Sequence, residues 1–169
     1  TMLIYPNSIS DFCKTLRTII QLMPTKHDFH KVIIGRSEFL DFLAPDILKV
    51  PSKIDTGAYR SAVHASNIKE QDGILSFELL GGHPVCGAMS QGITTDKYKQ
   101  VWVSNSFGAR EERYEVSLKV RIGAKVFTSR FTLANRSKKI YPVLLGRKLL
   151  NDRFLIDSSK TSLDRISLK

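Results

Sequence analysis

Residues 114–122 alternate between apolar and polar side chains, and this pattern constrains the fold more than any other part of the sequence. The alternating residues are Val116, Ser117, Leu118, Lys119, Val120, Arg121 and Ile122. A strand with this period has one face buried and the other in water. Gly123-Ala124 follows as a two-residue turn signal, and residues 125–133 continue as a second strand. The pattern therefore predicts a β-hairpin with one buried face.

Short apolar runs bounded by turn formers recur along most of the chain, and each predicts a further strand. These runs are residues 32–35, 47–54, 62–65, 74–80, 101–104, 154–157 and 162–166, and Phe39, Phe42 and Leu43 extend the apolar surface. Many short strands with little helix predict a mainly β fold with a closed β-barrel. Residues 81–113 contain several glycines and Pro84, and we expect long loops or a mobile hairpin there.

Residues 1–30 have a different pattern, because their apolar side chains recur at helical spacing. These side chains belong to Ile9, Phe12, Cys13, Leu16, Ile19, Ile20 and Met23. Ser8 or Ser10 is a candidate N-cap, and Pro24 is a stop signal. We expect an N-terminal helical extension over residues 1–30, packed on a β domain over residues 31–169. A membrane-surface or partner helix is the alternative, but its polar face carries few basic residues.

Basic residues outnumber acidic ones, with Lys+Arg 26 against Asp+Glu 16 and a formal net charge of +10. This surplus of positive charge gives information about binding partners rather than about the fold. Nucleic acid, an anionic membrane and an acidic peptide are each negatively charged partners of the right sign. Two cysteines, Cys13 and Cys86, are too few for a disulfide framework, so we expect a reducing, cytoplasmic location. A leader removed before residue 1 stays open as an alternative. No apolar run approaches the roughly 20 residues that span a bilayer, so we expect no membrane partner.

The segment from Lys53 to Ala58 reads Lys-Ile-Asp-Thr-Gly-Ala and places Asp55 at the end of a predicted strand. Asp and Gly are common turn formers, so an Asp55 that bonds its own backbone would explain this tripeptide alone. A second apolar run, Val143-Leu144-Leu145-Gly146, lies far downstream and precedes a short helix-like segment. Paired, the two segments resemble the two halves of one retropepsin-type aspartic protease subunit, and this resemblance favours a functional role for Asp55.

Two short pairs of residues could each supply zinc ligands, His27 with His30 and His83 with Cys86. Both pairs lie in predicted loops, and neither has the specificity of a double C-x-x-C motif. His64, at the end of a predicted strand, is more typical of a hydrogen-bonded structural histidine than of a metal ligand. The sequence also lacks the glycine-rich phosphate-binding motifs. We therefore expect neither a metal nor a cofactor.

An ordered set of motifs resembles a bacterial family with retropepsin-like folds, whose members are often labelled putative ATP-dependent zinc proteases. The motifs cover about residues 31–160 and are Val32 to Gly35, Ile54-Asp55-Thr56-Gly57-Ala58, Ser61 to Ala65, Arg110 to Tyr114, Asn135-Arg136-Ser137, Tyr141 to Arg147 and Phe154 to Asp157. Each motif is weak alone, and the ordered set is specific. The family usually has a basic residue and then Thr after Asp-Thr-Gly-Ala, where this chain has Tyr59-Arg60. Asn135 stands where an Asp is common.

The resemblance implies a homodimeric aspartic peptidase to which each chain contributes one Asp-Thr-Gly. Asp55 is then the catalytic residue, and its two copies share one proton, because two like charges at short distance cannot both ionise cheaply. The ionised carboxylate activates a water, and the protonated one binds the scissile carbonyl oxygen. The supporting residues are Thr56, whose hydroxyl would bond across the dimer, Gly57, Ala58, and the run Leu144, Leu145 and Gly146 behind the aspartate loop. Nothing in this chemistry requires ATP or zinc.

Some relatives in that family resemble peptidases that act beside glutamate ligases and trim glutamate tails from a ribosomal protein. The resemblance therefore implies a polyglutamate-tailed peptide as substrate, for which a basic chain has the right sign. Arg60, Arg110 and Arg113 are the candidate substrate-binding residues, and the alternative for each is a solvated surface arginine or a structural ion-pair partner. The alternative function is a non-catalytic basic β-barrel module that binds nucleic acid or a ribosomal partner. Nucleic acid is the less expected partner, because aromatic residues among basic ones are scarce outside residues 98–102.

Overall fold

The structure of the chain is a computed structural model that describes residues 31–104 and 108–162. Apart from Lys31 and Val32, these residues belong to the compact unit Ile33–Lys169. The elements are β1 (Val32–Ile34), β2 (Ser37–Leu43), β3 (Asp46–Asp55), β4 (Ser61–Gln71), β5 (Ile74–Leu79), β6 (Gln91–Thr95), β7 (Tyr98–Ser104), β8 (Arg110–Ile122), β9 (Lys125–Ala134), β10 (Val143–Gly146), α1 (Arg147–Leu150) and β11 (Phe154–Ile156).

Six strands close into a barrel in the order β10, β3, β2, β8, β9 and β4. The closing pair is β4 with β10, in which Val143 lies opposite Val63 and Leu144 opposite Ala62. Closure leaves no free edge within the ring, so every barrel strand has a hydrogen-bonded neighbour on both sides. The predicted mainly β fold with a closed barrel and a short helix at the end of the Leu-Leu-Gly-Arg run is confirmed.

The barrel interior is filled by aliphatic and aromatic side chains that are inaccessible to water. Phe42 and Phe131 meet inside it with ring centroids 6.0 Å apart in an edge-to-face arrangement. Each fully buried side chain of this size contributes about 1.5–3 kcal/mol relative to leaving it exposed. The apolar barrel residues with no exposed surface are Leu40, Phe42, Val50, Val63, Val120, Phe131, Val143 and Leu145.

The hairpin predicted from the alternating pattern is present as β8 and β9. Ile122 lies directly opposite Lys125, which leaves Gly123 and Ala124 as the two-residue turn. Gly123 has a φ of 56°, a conformation that glycine adopts without steric cost. The four apolar residues of the pattern are buried and the polar residues between them are exposed.

Two predicted boundaries differ from the structure. The short return strand predicted over residues 62–65 is the long strand β4, whose first half belongs to the barrel and whose second half pairs with β5. The prediction of long loops or a mobile hairpin over residues 81–113 agrees with the turns near residues 81–90 and with the pairing of β7 with the start of β8. It misses β6, which pairs with β5. Strand β6 contains a glycine and a single apolar residue, so it lacks the apolar alternation that marks the other strands, and its extended state depends on pairing with β5.

Some predictions fall outside the described residues. These are the N-terminal helix over residues 1–30 and, apart from Ser162, the strand over residues 162–166. Within residues 31–104 and 108–162, no helix has the length and apolar character needed to cross a membrane.

Candidate active site

Asp55 is the last residue of β3 and its side chain is partly exposed. Its Oδ1 atom accepts hydrogen bonds from the backbone N–H groups of Gly57 at 3.0 Å and Ala58 at 3.1 Å. The turn that Asp and Gly favour is therefore present, and Asp55 itself closes it. Among the described residues, no donor bonds Oδ2, so one carboxylate oxygen holds the loop while the other stays available.

Strand β10 lies between β3 and β4 and passes directly behind the aspartate loop. It runs parallel to β3, with Leu145 opposite Ile54 and Gly146 opposite Asp55. On its other side it pairs with the start of β4. Leu145 is fully buried and Leu144 is partly exposed. The Leu-Leu-Gly run thus forms an apolar backing for the loop.

The start of α1 holds the loop from a second direction. The backbone N–H of Arg147 donates to the carbonyl oxygen of Ala58 at 2.8 Å, and that of Lys148 donates to Tyr59 at 3.0 Å. These are N–H groups that the first turn of a helix leaves without partners inside the helix. Both ends of the loop are consequently hydrogen-bonded to rigid secondary structure.

Gly146 is required by the close approach between β10 and the loop. A Cβ atom at this position would lie 2.5 Å from the carbonyl oxygen of Arg60, a backbone atom. The N–H of Gly146 also donates to the hydroxyl of buried Ser61 at 3.1 Å. Gly57 is less constrained, because its Cβ would lie 3.3 Å from Oδ1 of Asp55. Thr56 is exposed, and its predicted bond across a dimer stays a prediction.

A cavity of about 780 Å³ opens in front of the loop. Gly57 and Ala58, the two residues that hold the carboxylate, form part of its wall, together with Leu144 from β10. The opposite wall is the hairpin of β7 and β8, which contributes Trp102, Val103, Ser104, Arg110, Glu111 and Arg113. The cavity therefore lies between the aspartate loop and a hairpin predicted only in outline from the sequence.

The three arginines predicted to bind substrate all line this cavity, but two of them have acidic partners. Arg60 donates from Nη1 to Oε1 of Glu115 at 2.5 Å, and the Glu115 side chain is only 3% exposed. Arg113 donates to Glu111 at 2.6 and 3.0 Å. Arg110 is exposed and makes no ion pair with a described residue. The contacts of Arg60 thus fit a structural ion pair best. Of the three predicted arginines, Arg110 is the most available to bind a ligand.

Two further arginines of the cavity were not among the predicted site residues, Arg136 and Arg147. The Arg136 backbone N–H donates to Nδ1 of His64 at 2.8 Å, and its Nε donates to Tyr141 O at 3.1 Å. Burial and the nearby charge of Arg113 lower the pKa of Arg136, whereas the negative charge of Asp55 raises it. The motif Asn135-Arg136-Ser137 was the available sequence signal, but spacing alone does not place it beside Asp55.

His64 and His83 form a buried pair with ring centroids 5.1 Å apart. His64 accepts at Nδ1 from the Arg136 N–H, so its Nε2 donates to Gly81 O at 2.9 Å. His83 likewise accepts at Nδ1 from Val85 N–H, and its Nε2 donates to a backbone carbonyl. Burial, followed by the proximity of His64, lowers the pKa of His83. The prediction that His64 is a hydrogen-bonded structural histidine is confirmed.

The zinc alternative has little support in the described part of the chain. Both ring nitrogens of His83 are engaged by backbone groups, and burial raises the pKa of the Cys86 thiol to about 11. A neutral, buried thiol is a poor metal ligand. Among residues 31–104 and 108–162, no group of three or more His, Cys, Asp or Glu side chains is placed to hold a metal ion. The pair His27 and His30 lies outside these residues.

The barrel and the aspartate loop place this protein in the class of retropepsin-like proteins, as the motifs implied. More narrowly, residues 33–165 match the RimB-like family, described as retropepsin-like aspartic endopeptidase RimB, and the chain belongs to this family. A crystal structure of the Legionella pneumophila protein Lpg0085, of unknown function, is similar at a TM-score of 0.61 and 26% identity. The match covers 82% of this chain and 98% of that one.

Curated relatives carry a different name, and the match covers only a part of each. A probable α-L-glutamate ligase of Shewanella pealeana is 29% identical over 141 residues, which are 78% of this chain and 30% of the relative. A probable α-L-glutamate ligase of Desulfotalea psychrophila is 32% identical over 139 residues, 77% of this chain and 29% of the relative. The chain thus spans about 30% of the length of the curated relatives that it matches.

Proposed function

We propose that this protein is an aspartic endopeptidase that works as a homodimer, with Asp55 of each copy as the catalytic carboxylate. The proposal rests on the difference in hydrogen bonding between the two oxygens of the Asp55 carboxylate. Oδ1 is held by two backbone N–H groups, while Oδ2 has no donor among the described residues. Membership of a retropepsin-like endopeptidase family supports hydrolysis as the reaction.

The need for a second copy follows from counting carboxylates. The sequence contains a single Asp-Thr-Gly, whereas an aspartic peptidase divides acid and base roles between two aspartates. A twofold axis through the site would supply the second aspartate from an identical surface patch. The exposed Thr56 and the partly exposed Asp55 would then face their own copies.

In such a dimer the two carboxylates share one proton, since ionising both at short distance is costly. The ionised carboxylate takes a proton from a bound water, which attacks the carbonyl carbon of the peptide bond. The protonated carboxylate donates a hydrogen bond to the carbonyl oxygen as negative charge develops there. Two loops held by β10 and α1 would keep both groups in place without reorganisation during the reaction.

We infer that the substrate is an acidic, glutamate-rich peptide, including a polyglutamate tail on a protein. The cavity beside the loop is lined by Arg110, Arg136 and Arg147. None of the three forms an ion pair with a described carboxylate, although the charge of Asp55 acts on Arg136. These cations would attract a polyanionic chain and orient its side chains. The relatives that contain a matching segment are named probable α-L-glutamate ligase, and this name supports glutamate peptides as candidates.

A subunit-mixing experiment tests the dimeric mechanism directly. Wild-type chain and Asp55→Asn chain are unfolded, mixed in varied ratio, refolded together and assayed on an oligoglutamate peptide at constant total protein. We expect the activity to follow the square of the wild-type fraction, because a dimer with one Asp55 and one asparagine is inactive. A control mixture uses Lys69→Ala, an exposed substitution on the outer half of β4, and keeps its activity constant. A linear decline with Asp55→Asn would contradict a shared site.

The non-catalytic alternative has one observation in its favour, the exposed Trp102 at the wall of an arginine-lined cavity. Its indole is 64% exposed and could stack on a base. If nucleic acid is the ligand, Asp55→Asn binds single-stranded oligonucleotide as tightly as wild type, and affinity falls steeply with salt. A shallow salt dependence together with peptide cleavage would eliminate this alternative.

A further inference from the structure

A second basic cavity, of about 370 Å³, adjoins the active-site cavity through a shared residue. Arg60 lines both cavities, and the second one is otherwise walled by β9, the middle of β8, the start of β4 and the region around α1. Its charged lining residues are Arg60, Arg130, Lys148, Arg153 and Glu115. We call it the side cavity. Neither the family description nor the names of the relatives assign it a role.

Among the described lining residues, the one carboxylate of the side cavity already has a partner. Glu115 is buried and pairs with Arg60 at 2.5 Å, which neutralises the arginine that the two cavities share. Its second oxygen lies 3.9 Å from Arg130, whose side chain is 50% exposed. At this distance the attraction between an exposed cation and a buried carboxylate leaves the cation largely available. The positive charge of Arg130 is therefore only partly compensated.

Lys148 and Arg153 are oriented without any carboxylate among the described residues. Nη1 of Arg153 donates to the carbonyl oxygen of Leu149 at 3.1 Å, and its guanidinium lies 5.0 Å from the centre of the Phe127 ring. The Lys148 ammonium lies 5.8 Å from the centre of the Tyr59 ring. Backbone and aromatic contacts thus position two cations beside the cavity and leave their charge unneutralised.

We propose that the side cavity is an accessory substrate site, which binds side-chain carboxylates of an acidic peptide beyond the segment held at Asp55. The proposal rests on the proposed function, because it places the same peptide in two adjoining cavities. Arg147 lines the active-site cavity and its neighbour Lys148 lines the side cavity, so cations continue from one to the other.

The lining of the side cavity favours a peptide over a nucleic acid. Single-stranded nucleic acid binds by stacking its bases on aromatic rings, and none of the described residues that line the side cavity is aromatic. Ser61, Thr128 and Ser129 instead add hydroxyl groups among the cations. Guanidinium, ammonium and hydroxyl donors together match carboxylate acceptors.

Binding measurements on the inactive Asp55→Asn background test the accessory site independently of cleavage. Fluorescence anisotropy is measured with two labelled oligoglutamate peptides, one short enough for the active-site cavity alone and one long enough to reach the side cavity. We expect Lys148→Ala combined with Arg153→Ala to weaken binding of the long peptide about tenfold and to leave the short peptide unchanged. The charge control combines Lys69→Ala with Lys97→Ala, which remove two positive charges from exposed residues away from the side cavity. We expect this control to leave the affinities for the short and the long peptide unchanged.

Three outcomes would overturn the accessory site. The double variant could bind the long peptide as tightly as its parent, or it could lose affinity equally for both peptides. Alternatively, a single-stranded oligonucleotide of equal charge could displace the long peptide at lower concentration, which would make nucleic acid the ligand. Thermal unfolding of each variant establishes that the fold is retained. If Asp55→Asn still cleaves peptide, the proposed function fails, while the two affinities still decide whether the side cavity binds carboxylates.

Discussion

The aspartate loop and the histidine pair use the same kind of interaction for different ends. In both, a side-chain acceptor receives backbone N–H groups and so fixes the course of a loop. Asp55 receives two of them on a single oxygen. His64 and His83 each accept one N–H and donate to one carbonyl oxygen, which uses both nitrogens of each ring.

The two regions differ in how much hydrogen-bonding capacity their side chains have left after holding the backbone. A neutral imidazole has one donor and one acceptor, and in each of these histidines both are occupied and buried. A carboxylate has two oxygens, and Asp55 commits one of them while its side chain stays partly exposed. A polar side chain with all its partners in the fold stabilises structure. One with unused capacity beside a cavity is a candidate for chemistry.

The largest expected effect comes from Asp55→Asn. Asparagine keeps an acceptor for the N–H groups of Gly57 and Ala58 but cannot exchange the proton, so the loop is preserved and the chemistry is lost. We expect cleavage of an oligoglutamate peptide to fall about a thousandfold or more, with the free energy of unfolding changed by less than about 0.5 kcal/mol. A variant that cleaves normally would show that Asp55 belongs to the same structural category as the histidines.

His64→Leu probes the other side of the comparison and is expected to act on stability. Leucine leaves the N–H of Arg136 and the carbonyl oxygen of Gly81 without partners in a buried setting. We expect a loss of about 3 kcal/mol in the free energy of unfolding, measured in urea. His64→Asn, which can still accept from Arg136, should recover part of the loss. Equal stability of the leucine and asparagine variants would contradict the role assigned to Nδ1.

Gly146→Ala tests whether the aspartate loop depends on the close approach of β10. The added methyl group would lie 2.5 Å from the Arg60 carbonyl oxygen, so strand or loop must move. We expect about 2 kcal/mol of destabilisation and reduced cleavage. Gly92→Ala is the matched control, because a Cβ there meets no atom within 4 Å. Equal unfolding midpoints for the two variants would show that the loop adapts freely.

The smallest expected effect is the pH dependence that His83 contributes. Because its pKa is lowered in the folded state, the unfolded chain takes up the proton first as the pH falls. Its contribution to stability is complete above the ordinary histidine pKa of about 6.5 and is lost as the pH falls through that range. We expect His83→Gln to flatten the dependence of the unfolding free energy on pH just below about 6.5. Parallel curves for wild type and variant would contradict this.

Several elements could be predicted from local sequence because their signals are local. The β8–β9 hairpin follows from strict alternation around a two-residue turn, and the loop at Asp55 follows from Asp and Gly as turn formers. Strand β6 could not be predicted in this way. Its extended state depends on pairing with β5, and the residues Gln91 to Thr95 carry almost no apolar pattern.

The sequence predicted the loop at Asp55, but it did not predict the ion pairs and cavity walls around that loop. Arg60 was expected to meet substrate, but the barrel brings Glu115 against it from 55 residues further along the chain. Arg136 received no role, although the fold brings it to the same cavity as the aspartate loop. Long-range ion pairs and cavity walls depend on which strands become neighbours, and that information is absent from any short motif.

The sequence by itself determined the class of fold, the family and the single Asp-Thr-Gly, because alternation, turn residues and ordered motifs are local properties of the chain. The tertiary structure alone decided which cations stay available, which histidines are saturated, and that β10 lies behind the loop. The physical reason is that burial and hydrogen-bond partners are set by barrel closure, which joins residues far apart in sequence.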